Sequence, residues 1–304
     1  MTHWVPAGLM FLPIVLAVVA LLLARKNHSA FLNPLTGSLA RPPGAGLGRK
    51  LGAEQLEVGF NLFEIALAAI TPVILYVHIQ SKLQAGDDPS LGLLLLALVL
   101  WAIWLGYVSW KLFRRFERIR ALRLAYECEL AVGQELDQLM LDGYRVFHDV
   151  QMENFNIDHI VIGQSGVFAV ETKGRSRTRN SIGNDKKLHQ VTYEDGILKF
   201  PGWQDKQVLR KAASQADSAA RWLSGVTGFD VPVRPVLVLP GWQVESKDAA
   251  EVPVITSGYI QRYFQSQCHL HLNHRDIQQI VFQIDQKVRG LLPRELGRPV
   301  SDPV

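Results

Sequence analysis

Long apolar runs occupy the first third of the chain. A bilayer-spanning helix needs roughly 20 apolar residues, and runs of that kind lie at about residues 4–24, 60–79 and 91–110. Asn61, Glu64 and Pro72 interrupt the second run. The pattern predicts a membrane anchor over residues 1–110, with about three transmembrane helices and a Pro/Gly-rich cytoplasmic loop over residues 25–59.

The pattern changes after residue 110. Helix-forming residues continue to residue 141, and apolar residues recur at helical spacing over 207–223 and 273–291. Between these helices, short β-rich runs predict strands over 144–150, 155–163, 167–173, 188–193, 197–200, 233–239 and 252–255. We therefore predict a mixed α/β fold, with a basic juxtamembrane helix over 111–129, a globular domain over 130–260, and a C-terminal helix and tail over 261–304.

Lysine and arginine are distributed unevenly around the apolar runs. They cluster between the first and second runs and again after the third, whereas the loop between the second and third runs carries Lys82 against Asp87 and Asp88. Basic loops tend to stay on the cytoplasmic side. We expect a multi-pass protein of the inner cell membrane, with an external N-terminus and a cytoplasmic soluble domain. A cleaved signal peptide is the alternative for the first run, although no Lys or Arg precedes it.

Composition adds two constraints. Cys128 and Cys268 are too few for a disulfide framework, which fits a reducing cytosol. The net charge of +4 is compatible with binding to phosphates or to anionic lipid and does not distinguish between them.

Residues 156–173 contain the most informative motif. If Gln164 and Ser165 form a two-residue turn, Gly163 pairs with Gly166, and the same register places Asp158 opposite Glu171. Directly opposed residues have Cβ atoms about 4.5 to 5.5 Å apart, close enough for two carboxylates to bind one divalent cation.

Lys173 follows two residues later on the same face. Both faces of this hairpin are otherwise apolar, so we expect it to be buried, where two carboxylates repel each other unless a positive charge compensates. The residues therefore predict a Mg²⁺ (or Mn²⁺) site at Asp158 and Glu171, with Lys173 orienting a water. A structural salt bridge at the end of a sheet is the alternative.

The motif also resembles a known family. Asn156-Ile157-Asp158-His159, then Gly166-Val167-Phe168 and Glu171-Thr172-Lys173, is similar to the nuclease-related domain (NERD) of the PD-(D/E)XK nuclease-like superfamily. The resemblance covers about residues 130–225. It implies a restriction-endonuclease-like core, built of a helix, an antiparallel strand meander, a helix and a strand. It departs from the superfamily pattern at Ile157, where a proline usually precedes the aspartate.

The resemblance also implies roles for individual residues. Asp158 and Glu171 match the metal ligands, and Lys173 matches the lysine that positions the attacking water. Glu135 resembles the helical glutamate of the family, although Glu127 and Glu129 lie close by. Gln215 resembles a glutamine of the second helix, and its alternative role is a hydrogen bond to a strand backbone.

The basic residues that follow the motif can hold a phosphate backbone or form an ordinary solvated loop. They are Arg175, Arg177, Arg179, Lys186 and Lys187. His159 should face away from Asp158, as a packed or backbone-bonded histidine.

The sequence thus predicts a membrane-tethered, metal-dependent nuclease that acts on DNA or RNA on the cytoplasmic side. One alternative is a non-catalytic membrane module that keeps the fold and binds nucleic acid or a protein partner. Another is a structural membrane scaffold.

Overall fold

The computed structural model describes residues 40–86, 91–152, 155–176, 189–247, 251–267 and 272–290. The first predicted transmembrane run, residues 4–24, lies outside the described residues. The helices are α1 Ala45–Gln84, α2 Leu91–Asp137, α3 Gln207–Thr227, α4 Ile260–Gln265 and α5 His274–Gly290. The strands are β1 Arg145–Gln151, β2 Asn156–Gly163, β3 Gly166–Thr172, β4 Gln190–Glu194, β5 Ile197–Phe200, β6 Trp203–Asp205, β7 Val233–Val238, β8 Gln243–Ser246 and β9 Val254–Ile255. Short 3-10 helices occupy Gln138–Asp142 and Ser257–Tyr259.

Helices α1 and α2 contain the second and third apolar runs. Both are long and apolar enough to cross a membrane, judged by length and composition. They pack against each other, and the indole N–H of Trp101 donates to the carbonyl of Ala68 at 3.0 Å. Most of their large apolar side chains point outward, among them Leu93, Leu96 and Ile103. An apolar surface of this kind is costly to expose to water, which suggests membrane association.

Helix α1 begins earlier than predicted. The sequence pattern assigned residues 25–59 to a loop, but the structure starts the helix at Ala45, after Gly44 in the left-handed conformation with φ 73°. Alanine, leucine, lysine and glutamate after Gly44 favour a helix, and they outweigh the glycines among them. The N-terminal part of α1 then packs on α2, where Gly48 lies against the ring of Tyr126.

Helix α2 runs without a break from the third apolar run to Asp137, as the run of helix-forming residues predicted. A 3-10 turn follows, and Gly143 ends it with φ 87°. The basic stretch and the beginning of the globular domain therefore belong to one rigid element.

The main sheet has five strands in the order β1-β2-β3-β7-β9. Strands β1, β2 and β3 form an antiparallel meander, whereas β7 runs parallel to β3 and β9 parallel to β7. A second sheet has the order β6-β5-β4-β8. In it Asp195 and Gly196, both at positive φ, form the turn that joins β4 to β5. Among the described residues the fold is thus mixed α/β with two sheets.

Both faces of the central hairpin are buried, as predicted. On one face, Ile160, Ile162, Val167 and Ala169 pack with residues of α3 and α5. On the other face, Val161, Phe168 and Val170 pack with residues of α2 and α4. The end of this hairpin thus lies between α2 and α3, and both helices contribute side chains to the site described below.

Candidate functional site

The β2–β3 hairpin has the predicted register. Gly163 pairs with Gly166, and His159 pairs with Val170. The next position in this register brings Asp158 and Glu171 opposite each other. Both side chains are buried, with relative exposures of 8% and 4%. The hairpin register that the turn signal predicted is confirmed.

Asp158 is held by the backbone of the neighbouring strand. Its Oδ2 accepts the N–H of Thr172 at 2.7 Å. Burial raises the pKa of Asp158 well above its usual range, and the nearby Glu171 and Glu129 carboxylates raise it further, while the Thr172 hydrogen bond opposes the rise. The site therefore disfavours the simultaneous ionisation of its carboxylates unless positive charge is added.

Glu171 has a partner that the sequence analysis missed. Its Oε1 accepts a hydrogen bond from Nζ of Lys211 on α3 at 2.6 Å. Partial burial opposes charge on Lys211, but the hydrogen bond and charge of Glu171 outweigh this and raise the pKa of the ammonium group. The second oxygen, Oε2, is buried and has no hydrogen-bond partner among the described residues.

The buried helical carboxylate in the site is Glu129, not Glu135. Glu129 is buried on α2 and lines the same cavity as Asp158 and Glu171, whereas Glu135 does not line it. At 3.6 residues per turn the two positions lie about 120° apart around the helix. Burial, assisted by the Asp149 carboxylate, raises the pKa of Glu129 to about 7, against a hydrogen bond with Asp158 that lowers it. We call Glu129, Asp158 and Glu171 the acidic floor.

Lys173 and Gln215 both line the cavity above the acidic floor. Lys173 forms no ion pair within the part of the chain that the structure describes. Gln215 is buried, and its Nε2 donates to the backbone carbonyl of Asn156 at 3.0 Å. This is the alternative contact expected for Gln215, so the residue supports the start of β2 while it faces the cavity.

The cavity itself has a volume of about 1360 Å³. Strands β2 and β3 and helix α3 form one side, and the N-terminal part of α1 with the middle of α2 forms the other. Arg175 lines it as well, but its guanidinium pairs with Asp205 and stacks 5.1 Å from the ring of Trp203. The other basic residues predicted to contact nucleic acid lie outside the described residues: Arg177, Arg179, Lys186 and Lys187.

His159 lies on the far side of β2, as predicted, and belongs to a chain of polar contacts. Its Nδ1 lies 2.8 Å from Nδ1 of His148, whose Nε2 lies 2.9 Å from Oδ1 of Asp137. Its Nε2 lies 3.2 Å from the hydroxyl of Thr172, the residue whose N–H binds Asp158. Burial and the neighbouring His148 lower the pKa of His159 well below its usual value, so it is neutral at physiological pH. The contacts with His148 and Thr172 were not predicted.

The segment before α1 is packed into the same region. Arg41 is 6% exposed, and its Nη1 lies 2.9 Å from Oδ2 of Asp149, a buried residue of β1 with φ 50°. Pro43 lies so close to α2 that a Cβ on Gly133 would stand 2.4 Å from it. The chain that enters α1 is therefore an integral part of the cavity.

Buried carboxylates and a lysine thus lie at the end of an antiparallel hairpin, in an open cavity with basic residues, an arrangement that can bind a divalent cation and a phosphate. The comparison with protein families agrees: residues 124–240 match the model of the nuclease-related domain, NERD. No curated protein and no solved structure matches the chain.

Proposed function

We propose that the chain is a membrane-tethered, Mg²⁺- or Mn²⁺-dependent nuclease that hydrolyses phosphodiester bonds of DNA or RNA on the cytoplasmic side. One observation carries the proposal. A buried carboxylate oxygen, Oε2 of Glu171, has no partner in the described residues, although it lies in an open cavity beside Asp158 and Lys173. A buried polar atom without a partner costs free energy, so such an atom in a cavity points to a ligand.

The donors present fit a divalent metal. Mg²⁺ is usually bound through one or two carboxylates, with waters and substrate phosphates completing its coordination. Asp158 and Glu171 would provide those carboxylates, with Glu129 beside them. Among the described residues no group of three acidic, histidine or cysteine side chains can enclose a metal alone, which is compatible with a site completed by water and substrate. When bound, the metal would act as a Lewis acid on a phosphate oxygen and favour deprotonation of a bound water.

The other residues of the site would orient the attacking water and the carboxylates and stabilise the charge that develops on the phosphate. The Lys173 ammonium would hold the attacking water and stabilise negative charge as it develops on the phosphate. The Thr172 N–H fixes the Asp158 carboxylate, and Gln215 fixes the start of β2 through Asn156. Lys211 neutralises one oxygen of Glu171 and leaves the other directed to the ligand.

We also propose a restriction-endonuclease-like core for this domain. The order of its elements supports this: helix α2, the β1–β3 meander, helix α3 and then strand β7 beside β3. The exposed apolar surfaces of α1 and α2 support a membrane anchor, and the positions of Lys and Arg support a cytoplasmic domain. The full chain should therefore remain with membranes after an alkaline wash that releases peripheral proteins.

Cleavage by the full chain in a neutral detergent tests the function directly. Labelled DNA and RNA are incubated with Mg²⁺, with Mn²⁺ and with chelator. We expect metal-dependent cleavage that Asp158→Asn and Glu171→Gln lower by at least about 10³-fold, because each removes a ligand charge worth several kcal/mol in the transition state. Asp195→Asn is a matched control, since Asp195 lies in the β4–β5 turn at positive φ, which asparagine tolerates. Wild-type turnover in either site variant would exclude the assignment.

The Lys211–Glu171 ion pair favours one rival, a non-catalytic module that binds nucleic acid or a protein partner. The pair already compensates one of the buried carboxylates without any metal. In that case the wild-type chain would bind its partner and cleave neither DNA nor RNA with any of the metals.

A further inference from the structure

The cavity is closed on one side by the two long helices, and this side is basic. Arg49 and Lys50 of α1 and Arg120 and Arg123 of α2 are exposed and line the cavity. They face the same space as Asp158, Glu171 and Lys173. We call these four residues the basic wall. None of them belongs to residues 124–240, the part of the chain that matches the nuclease-related domain.

Basic residues nearer the apolar runs have different surroundings. Arg115 binds Glu54 and Glu57 at 2.9 Å each, and Lys111 lies 3.7 Å from Glu64. These pairs join α1 to α2 and neutralise the charge there. Within the described part of the chain, Lys50, Arg120 and Arg123 form no such pair, although Glu117 and Glu127 also line the cavity. At these three residues the positive charge of the two helices is therefore less compensated than at Lys111 and Arg115.

Position along the helices separates the basic wall from the bilayer. At 1.5 Å per residue, Arg120 and Arg123 lie about 15 and 20 Å beyond Trp110, and Lys50 lies about 15 Å before Phe60. The headgroup layer on each side of a bilayer is only about 5 to 8 Å thick. In the membrane arrangement proposed above, lipid phosphates would meet Lys111 and Arg114, and the basic wall would stand beyond them in the cytoplasm.

We propose that the basic wall is a binding surface for the phosphodiester backbone of the nucleic acid, so that the membrane helices supply half of the substrate site. This rests on the proposed function and extends it to the ligand class of a surface outside the family domain. Four cations along one side of the cavity would hold the backbone, while the acidic floor and Lys173 face the bond to be cut. The anchor then serves as part of the binding site in addition to holding the protein at the membrane.

The test is nucleic-acid binding by the full chain in neutral detergent, measured by fluorescence anisotropy in chelator so that no cleavage occurs. The full chain is needed because a fragment that starts at Arg123 lacks Arg41, the partner of buried Asp149, and most of the basic wall. Three double variants are compared with wild type: Arg120→Gln with Arg123→Gln, Arg49→Gln with Lys50→Gln, and Arg114→Gln with Arg118→Gln. The last is the matched control, because it removes two exposed charges of α2 that do not line the cavity.

Each wall variant should bind DNA or RNA about tenfold more weakly at physiological salt. The slope of log affinity against log salt should fall by about 1.4 to 1.8, the value for two lost phosphate contacts. The control should keep both the affinity and the slope of wild type. Wall variants that behave like the control would overturn the proposal, and so would a wild-type chain that binds neither DNA nor RNA.

Lipid headgroups are the competing ligand, and nanodiscs with and without anionic lipid distinguish the two. If the wall variants lose only a response to anionic lipid and keep nucleic-acid affinity, the basic wall binds lipid and the proposal is wrong. Cleavage provides a separate measurement. A chain that binds with the expected salt slope but never cleaves contradicts the proposed nuclease activity alone, whereas a chain that cleaves with unchanged slopes contradicts the basic wall alone.

Discussion

The acidic floor and the basic wall border one cavity but differ in their electrostatics. The floor carboxylates are buried between α2, α3 and the β2–β3 hairpin, where charge is costly, and burial is the main cause of the raised pKa of both Glu129 and Asp158. The wall residues are exposed, where solvent and salt screen their charges. Substitutions in the floor should therefore change turnover, pH dependence and stability, whereas substitutions in the wall should change affinity and its salt dependence.

Substitution of Lys173 should give the largest difference between an effect on turnover and an effect on affinity. Lys173 is positively charged like the residues of the basic wall, but it lies beside the acidic floor. Lys173→Met should lower cleavage by about 10²- to 10³-fold, the usual loss when one electrostatic contact to a transition state is removed. Nucleic-acid affinity should change much less. Single-turnover cleavage and anisotropy measure the two effects, and Lys206→Met, an exposed position outside the cavity, is the control. If affinity fell by the same factor as the cleavage rate, Lys173 would act in binding the nucleic-acid backbone, as proposed for the basic wall, and not in catalysis.

Glu129 tests the expectation that substitutions in the acidic floor change the pH dependence of stability. Its folded pKa of about 7 lies above the usual 4.5, so the stability linked to its protonated form is complete below about pH 4.5 and is lost as pH rises through about 7. Glu129→Gln keeps the neutral form. In chelator the variant should match wild type near pH 4 and exceed its unfolding free energy by about 1 to 3 kcal/mol near pH 8.

The pH comparison must be made between variant and wild type, because His159 has the opposite effect. Its lowered pKa means that stability is complete above about 6.5 and falls as pH drops below that value. Thermal unfolding of both proteins at each pH cancels this contribution. A variant that is less stable than wild type near pH 8 would show that the Glu129 carboxylate is ionised and well paired.

Of the substitutions at Lys173, Glu129 and Lys211, the one at Lys211 should have the smallest energetic effect. Lys211→Met leaves Glu171 buried without its cation, but Lys211 is 52% exposed and solvent screens part of the pair. We expect a loss of about 1 kcal/mol, below the 3 to 5 kcal/mol typical of a fully buried pair. The double variant Lys211→Met with Glu171→Gln should recover most of it in chemical denaturation. No recovery would mean that Lys211 stabilises the fold through packing of its side chain.

The strand part of the site was predictable from sequence because it is local. A two-residue turn fixes the register of a hairpin, so Asp158, Glu171 and Lys173 could be brought together from their spacing alone. The helical part was not, because it depends on how α2 and α3 are rotated against the sheet. The spacing predicted a glutamate of α2 in the site but did not show which of Glu127, Glu129 and Glu135 it is. In the structure the buried glutamate that lines the cavity is Glu129.

Lys211 could have been found from its neighbour. It precedes Gln215 by four residues, and residues at that spacing share one face of a helix. Once Gln215 is assigned to the inward face, Lys211 follows one turn away, next to the strand ends. The basic wall could not be found in this way, since residues 49–50 and 120–123 are far apart in sequence and a basic stretch after an apolar run predicts membrane orientation equally well.

The continuity of α2 places a constraint on how this chain can change in length. Trp110 and Glu129 lie on one uninterrupted helix. The distance between them along the helix axis and the angle between them around it are therefore both fixed by the number of residues that separate them. One residue inserted between them would turn Glu129 by about 100° and shift it by about 1.5 Å relative to the apolar run. Seven inserted residues would restore the angle to within about 20° but move the cavity about 10 Å further from the apolar run. The helical segment between Trp110 and Glu129 thus sets both the distance of the site from the apolar run and its orientation around the helix axis. This segment contains no loop that could accommodate an added or missing residue.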